Sequence, residues 1–435
     1  MHEGQFPTYL VAACLWTSYP RPVSGSVALL EHQVTPIRLV LGHPTLRLIA
    51  VALLVLGGLN ASVYPYQSLI AIERIGMSKP AFSLMLAMAS LVAVISSVVL
   101  GILSDQFGHR RMIAIATTLC STLGIALILA FPGILTLVLC LGVLLPLASS
   151  LYGQLFALAR LASPDEGKNR DGILGVIRSA LSFSFLAMLI FWTFAFGYGL
   201  SEMAVFVSGG LASLALLGLI LLGWPKDGQT PWADPRSGMR LRDALAEIVK
   251  PRVAVRVFFI GAMASSGTLY MVLISLIFDA SPVRGPSDVA LYVGMLAGWE
   301  VPAMLILPRL TRSVPKSTML VIGTVLYGTH LLALPWLSES SFLWIMPLFG
   351  GVGGAMVITA PITYYQDLLR ERPGTAAAML AVQKLVSDVL TAGIFAATTS
   401  FGGFETVAVT GVVCSLFGAG GLYWADRVNL FAAKV

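Results

Sequence analysis

The sequence predicts an all-α integral membrane protein with twelve transmembrane helices in two pseudo-symmetric bundles of six. Three observations support this prediction: a charge-poor composition, twelve apolar windows of spanning length, and basic residues gathered in alternate loops. The chain has 435 residues, of which 57% are hydrophobic and only 11% charged. Because soluble domains carry about a quarter charged residues, so much apolar surface requires the hydrocarbon of a bilayer as solvent.

The spans are identified as apolar windows of about 20 residues between charged or Gly/Pro breaks. The first half of the chain contains six such windows, at 47–72, 80–103, 112–130, 133–158, 171–196 and 200–223. The second half contains another six, at 252–277, 288–308, 318–337, 341–366, 374–398 and 403–425. We therefore predict an N-terminal bundle at 47–224, a cytoplasmic linker at 225–251 and a C-terminal bundle at 252–427.

Residues 1–46 differ from the rest of the chain. They contain four prolines and show no helical period, and their apolar stretch 9–16 is too short to span a bilayer. We expect a poorly ordered N-terminal tail. The alternative that the start codon is assigned too far upstream stays open.

Lysine and arginine residues mark one side of the predicted membrane domain. They lie in the linker and in the loops that follow the even-numbered spans, namely Arg110, Arg111, Arg160, Lys168, Arg170, Lys226, Arg236, Arg240, Arg242, Lys250, Arg309, Arg312, Lys316, Arg370 and Arg372. The opposite loops hold only Arg74, Lys79 and Arg284. By the positive-inside rule the linker and both termini are cytoplasmic. Basic residues scattered in this way do not indicate a nucleic-acid partner.

The two halves share a pattern at a spacing of 206 residues. Pro80 and Pro286 precede corresponding spans, and Arg110 corresponds to Lys316. Two homologous halves with a site between them are typical of secondary transporters. The sequence contains no GxxxxGK[ST] phosphate loop, HExxH motif or cysteine cluster, so we expect neither an enzyme nor a cofactor or metal site.

The sharpest local motif, Gly101 to Arg111, lies between the second and third spans. Its members are expected to form a cytoplasmic gate: Gly101 permits close helix contact, Gly108 a tight turn, Asp105 an ionic contact, and the basic pair holds the loop inside. The motif resembles the signature loop of the major facilitator superfamily, and every key position is filled. The second-half copy is degenerate, with Thr311 in place of the aspartate.

Longer stretches resemble the bacterial sugar efflux transporter family. The matching segments are Pro65 with Ser68-Leu69, Gln154 to Arg160, Arg178, Trp299 to Met304, and Gln366-Asp367-Leu368 with Pro373-Gly374. The resemblance covers residues 47–425. It implies the major facilitator fold, export of small sugars or glycosides driven by the proton gradient, and a gate role for Asp367. The sequence departs from the family at Tyr152-Gly153, which replace Asn-Pro, and at Lys384 and Asp388, where small or amide residues are more common.

Four charged residues fall within apolar spans: Arg178, Glu300, Lys384 and Asp388. Each costs about 2.5–3.5 kcal/mol to insert, so we take all four as proton-coupling candidates. Glu300 lies near the bilayer midplane, and its alternative is a structural contact with a neighbouring helix. Lys384 and Asp388 are one helical turn apart, so a self-neutralising pair is an alternative to a cavity face. For Arg178 the alternative is snorkelling to the membrane surface.

Polar and aromatic residues at similar depth are substrate-binding candidates, because a sugar requires amides for its hydroxyl groups and flat rings for its apolar face. They are Asn60, Tyr64, Gln67, Tyr152, Gln154, Tyr270, Trp299 and Gln383. For each of them, helix packing or an interfacial aromatic belt is the alternative. His330 is expected near the outer end of the ninth span, where a packing role is favoured over a proton role.

The sequence therefore favours a proton-coupled, alternating-access exporter of small sugars in a bacterial inner membrane. Its expected partners are a small-molecule substrate, protons and the lipid bilayer, and we expect a monomer. A multidrug or metabolite exporter of the same fold is the alternative, favoured if the cavity is mainly apolar. A non-transporting membrane sensor is a third hypothesis, but it would require an appended soluble domain.

Overall fold

The computed structural model describes residues 36–163, 167–226, 250–310, 314–369 and 373–427. Within these ranges the regular elements are all helices. The predicted linker lies almost wholly outside them, as do residues 1–35 of the predicted tail. Residues 36–42 form a short helix, so helical structure begins inside the segment expected to be a tail.

The first half consists of six helices. These are α1 (Pro44–Arg74), α2 (Lys79–Phe107), α3 (Arg110–Ala130), α4 (Ile134–Ala162), α5 (Gly167–Gly197) and α6 (Ala204–Gly223). Ser78 caps α2 by accepting a hydrogen bond from the Ala81 N–H. Gly108 ends α2 with a φ of 68°, a left-handed conformation that glycine adopts without strain. The tight turn predicted at Gly108 is therefore present.

The second half repeats the arrangement. Its helices are α7 (Pro251–Asp279), α8 (Pro286–Leu310), α9 (Lys316–Leu337), α10 (Met346–Leu368), α11 (Pro373–Thr398) and α12 (Phe404–Arg427). Eleven helices of the described chain are long and apolar enough to cross a membrane, and the twelfth, α8, has 25 residues. Each predicted window falls on one helix. The predicted fold of twelve membrane helices is confirmed.

Helices α1 and α4 are not regular along their length. In α1, Pro65 lies in a 3₁₀ turn at Tyr64–Tyr66, and a π-helical stretch follows at Ile70–Arg74. In α4 a π-helical stretch covers Val138–Leu144. Proline removes a backbone donor, and π-helical turns are frequent at functional sites. Both irregular helices face the space between the two halves.

Among the described residues, the two halves share a buried apolar core at one side. We call this face, which carries the α1–α2 turn, the outer side, following the distribution of basic residues. One buried apolar core contains residues of both halves, such as Tyr66 and Phe278. The other two cores belong to one half each, around Leu53 in the first and Ile260 in the second. The halves are therefore joined at the outer side and separate toward the other.

The packing of α1 on α5 depends on Gly57. A Cβ at this position would collide with the carbonyl oxygen of Leu181 and lie 3.2 Å from its carbonyl carbon. Because backbone atoms cannot move aside, we expect Gly57→Ala to lower the free energy of unfolding by about 1–3 kcal/mol. A thermal unfolding curve in detergent measures the loss. Gly175→Ala on α5 is the matched control, because a Cβ there meets nothing within 4 Å; equal midpoints for the two variants would contradict this account.

Candidate functional site

A cavity of about 500 Å³ lies between the two halves. Helices α1, α2, α4, α5, α7 and α11 line it through Asn60, Tyr64, Gln67, Leu86, Ala89, Ser90, Ala93, Leu141, Leu145, Pro146, Ser149, Leu181, Phe185, Gly267, Thr268, Met271, Lys384 and Asp388. Five of the residues selected from the sequence are among them: Asn60, Tyr64, Gln67, Lys384 and Asp388. The polar lining residues Ser90, Ser149 and Thr268 were not selected from the sequence.

The charged pair of α11 lies on the cavity wall. Lys384 Nζ donates to Asp388 Oδ2 at 2.7 Å and to Oδ1 at 3.0 Å. Thr268 Oγ1 of α7 also donates to Asp388 Oδ1, at 3.2 Å, and lies 3.0 Å from Ser387 Oγ. The Lys384 side chain is 68% exposed and that of Asp388 only 9%. The ammonium group thus faces the cavity while its counter-ion is held in the wall.

Three polar side chains of α1 face the same cavity. Asn60 lies in the regular part of the helix, Tyr64 begins the 3₁₀ turn and Gln67 follows it. The irregular turn therefore brings an amide, a phenol and a second amide onto one wall of the cavity. An amide offers both donors and an acceptor, and a phenol adds a flat apolar ring. These are the groups that a neutral polyhydroxy compound requires.

Glu300 is placed differently from the expectation. It lies outside the cavity lining and inside the second half, where it packs against Gly354 of α10. A Cβ atom added to Gly354 would lie 2.7 Å from Glu300 Oε1. The ring of Tyr327 of α9 would lie 3.1 Å from the same added Cβ atom. Glu300 is half-buried and forms no ion pair with any described residue. A cation does not lock its carboxylate, and its exchange of protons with the cavity would be indirect.

The remaining binding candidates also lie outside the cavity lining. Gln154 is buried and donates to Ser104 Oγ at 3.1 Å, a packing contact between α4 and α2. Tyr152 is exposed and packs on Phe156, with ring centroids 4.7 Å apart. Arg178 and Trp299 are exposed, whereas Gln383 and Tyr270 are buried. The sequence does not predict the direction in which each helix turns these residues.

The gate motif forms contacts within the first half. Arg110 is buried and donates to Ser104 Oγ at 3.3 Å. Arg111 donates to the Leu221 carbonyl of α6 at 2.8 Å. A Cβ at Gly101 would meet no described residue within 4 Å, so the part of the chain that the structure describes shows no close helix contact there. The side chain of Asp105 lies outside the described part of the chain. Ser104, which the sequence interpretation passed over, connects Gln154 to Arg110.

The corresponding contacts of the second half are ionic. Lys316 Nζ donates to Asp367 Oδ2 at 2.5 Å and to the Thr363 carbonyl at 3.1 Å. Lys316 begins α9 and Asp367 ends α10, so this ion pair joins neighbouring helices of one bundle. Asp367 therefore contacts its own half in this conformation.

Two ionic clusters were missed from the sequence. Buried Arg256 donates to Asp426 Oδ1 at 3.0 Å and to Tyr364 Oη at 3.1 Å, which ties α7 to α12 and α10. At the outer side, Arg74 Nη2 donates to Asp279 Oδ1 at 2.6 Å and to Glu202 Oε1 at 3.1 Å. Burial acts to raise the pKa of Glu202, but the hydrogen bond with Arg74, a backbone hydrogen bond and the positive charge of Arg74 together outweigh it and lower that pKa. The only signal available in the sequence was that these charges lie at span ends.

The sequence matches the family model described as Major Facilitator Superfamily, over residues 7–166 and 49–392. The chain is similar to Sugar efflux transporter A of Escherichia coli (strain K12), with 27% identity over 320 residues that cover 71% of this chain and 78% of that protein. Sugar efflux transporter A of Dickeya chrysanthemi is 25% identical over 355 residues, covering 78% of this chain and 84% of that protein.

Solved structures of membrane transporters share the fold. The nucleoside transporter NupG aligns with a TM-score of 0.72 at 14% identity, covering 87% of this chain and 98% of that one. A POT family transporter, solved with a thioalcohol-conjugated peptide, aligns with a TM-score of 0.70 at 11% identity over 88% of this chain and 97% of that one. At sequence identities this low, the similarity shows only that the helices are arranged in the same way.

Proposed function

The chain belongs to the Major Facilitator Superfamily, and on that premise we propose that it exports small sugars or glycosides in exchange for protons. The observation that carries this proposal is the cavity between the halves, where Asn60, Gln67 and Tyr64 supply groups suited to sugar hydroxyls. The names of the relatives from E. coli and D. chrysanthemi agree with this substrate class. Closure at the outer side corresponds to the inward-facing state of an alternating-access cycle. We further propose cytoplasmic termini and a monomer in the bacterial inner membrane.

A multidrug exporter is the second candidate, because much of the cavity wall is apolar. Leucine, alanine, phenylalanine and methionine side chains make up about half of its lining, including Leu86, Phe185 and Met271. Lipophilic cations would favour this wall over the amides of α1. Competition separates the two functions: a panel of neutral sugars should inhibit transport if the first proposal is correct, and lipophilic dyes should inhibit it if the second is.

The experiment that tests sugar export uses purified protein in liposomes. Labelled sugars are loaded inside, a pH gradient is imposed, and efflux is followed with and without a protonophore. Export that the gradient accelerates and the protonophore abolishes supports the proposal. A full sugar panel with no transport in either direction would contradict it.

We propose that Glu300 carries the coupled proton, and we expect Glu300→Gln to lose gradient-driven transport. Glutamine keeps the size and polarity of the side chain but cannot bind and release a proton. Exchange of labelled for unlabelled sugar at equal pH requires no net proton movement and should continue. Gln383→Glu is not a control, since it adds a charge; Thr324→Val is, because Thr324 is buried and bonds only the Leu320 carbonyl of its own helix. Wild-type gradient-driven efflux in Glu300→Gln would exclude Glu300 as the carrier.

A further inference from the structure

Four buried aromatic side chains with polar atoms meet in the core of the second half. Tyr270 of α7, Tyr292 of α8 and Tyr327 of α9 surround His330, also of α9. Their ring centroids lie 4.8, 5.7 and 5.3 Å from that of the imidazole. His330 is fully buried, and none of the four lines the central cavity. This His330 cluster is therefore separate from the proposed sugar site.

The hydrogen-bonding capacity of the His330 cluster is largely unmet. Both ring nitrogens of His330 and the hydroxyl groups of Tyr270 and Tyr292 have no partner among the described residues. A buried polar group without a partner costs about 1–3 kcal/mol, and most such groups in proteins are satisfied. Several unpartnered polar groups side by side in an apolar bundle therefore indicate that these groups have a function in the transport cycle.

The cluster leads inward to Glu300. A Cβ on Gly350 of α10 would lie 2.9 Å from His330 Cγ, and one on Gly354 would lie 2.7 Å from Glu300 Oε1. The two glycines are one helical turn apart, so His330 and Glu300 rest on the same face of α10 in succession. Tyr327 lies beside both residues, because its ring packs on His330 and also approaches Gly354, next to Glu300.

The cluster leads outward to the outer surface. Tyr292 packs on Trp344, with ring centroids 6.1 Å apart. Arg284, in the outer turn before α8, lies over the Trp344 ring at 5.1 Å and donates to the carbonyls of Ser338 and Ser340. Side chains thus follow one another from the outer loops to Glu300 without entering the central cavity.

We propose that the His330 cluster is a proton path between the outer side and Glu300, a route that rests on the proposed proton coupling. Among the described residues, the imidazole nitrogens and the hydroxyl groups of Tyr270 and Tyr292 form no hydrogen bonds with one another, so the path requires water molecules that bridge them. In each transfer one imidazole nitrogen accepts a proton from a water on the Tyr292 side while the other releases one to a water on the Glu300 side, so His330 ends neutral and no charge stays buried. The titratable groups facing it are Tyr270, Tyr292 and Tyr327, followed by Glu300. On α10, Gly350 faces the imidazole, and on α12, Val412 lies beside Gly328 of α9.

The test compares three variants in liposomes with a pH dye inside. His330→Leu and the milder Tyr292→Phe remove links of the path. Thr324→Val is the matched control, because Thr324 is also buried on α9 and bonds only the Leu320 carbonyl of its own helix. We expect His330→Leu to slow sugar-coupled proton movement at least about a hundredfold, the lower end of the range over which a positioned proton-transfer group acts. Sugar exchange at equal pH should stay at the wild-type rate in all three.

Two outcomes would overturn the path. The first is unchanged proton movement in His330→Leu and Tyr292→Phe, and the second is a loss of sugar exchange together with proton movement in both variants. Failure of the proposed function looks different, because the wild type itself would then show no proton movement coupled to any sugar.

Discussion

Oxidation of a Ser68→Cys/Ser275→Cys double variant is expected to stop transport almost completely, and reduction to restore it. Ser68 lies on α1 and Ser275 on α7, and their Oγ atoms are 2.9 Å apart at the outer side. Ser68 Oγ also donates to the Val272 carbonyl of α7 at 2.7 Å. A separation this short places the two Cβ atoms within about the reach of a disulfide. The bond would join the two halves permanently where they now meet.

The physical reason for the expected loss is that alternating access requires this contact to open. A secondary transporter of this kind exposes its site to each side in turn by rocking one bundle against the other. In the present conformation the outer side is closed by the shared apolar core, by the Ser68–Ser275 contact and by the Arg74–Asp279 ion pair. A covalent bond across the closed face would hold the protein in one state, and the substrate could not leave on the outer side.

A matched pair controls for oxidation and for the loss of two serines. Ser121 on α3 and Ser213 on α6 have Oγ atoms 2.6 Å apart, and both belong to the first half. A bond between them does not cross the line along which the halves separate. With the native cysteines replaced by alanine, oxidised Ser121→Cys/Ser213→Cys should transport at the rate of its reduced form. Full transport by the oxidised Ser68→Cys/Ser275→Cys protein, with cross-linking verified by mass spectrometry, would refute movement at this interface.

The sequence was sufficient to predict the helices because the length and polarity of each window are local properties. Pro80 and Pro286 begin their helices, and Gly108 ends α2, for reasons contained in single residues. The pairing of Lys384 with Asp388 was one of two alternatives left open by the sequence, and it too depends on one helix, since a spacing of four residues sets their contact. Features set by one helix alone can thus be predicted without the structure.

The direction of each side chain was harder to predict, because it depends on how a helix is rotated against its neighbours. Glu300 was selected because it falls near the middle of the eighth span, yet α8 turns it toward α9 and α10 rather than into the cavity. Contacts between distant helices were also missed. Arg74 looked like an isolated loop charge until Glu202 and Asp279 were seen beside it. In a helix that is apolar on every face, hydropathy carries little information about rotation.

Asp388→Asn is expected to slow sugar exchange by about a hundredfold or more. The open cavity hydrates the Lys384 ammonium group, which is 68% exposed, so loss of its counter-ion costs little in this state. When the halves close over the cavity, water leaves, and an unpaired ammonium ion would then cost several kcal/mol. Since about 1.4 kcal/mol corresponds to a factor of ten in rate, the barrier to closure rises steeply. Exchange of labelled sugar at equal pH measures this step without a contribution from proton coupling.

Two further variants separate charge neutralisation from direct substrate binding. Thr268→Val removes one hydrogen bond to Asp388 and should cost only about 1 kcal/mol, or roughly fivefold in rate. Lys384→Met/Asp388→Asn removes both charges, so the closing cavity no longer has to desolvate an unpaired ion. If neutralisation is the main role of Asp388, the double variant exchanges sugar faster than Asp388→Asn alone. If the double variant is as slow as the single one, the carboxylate is required for the substrate itself, because the charge imbalance has then been removed without restoring transport.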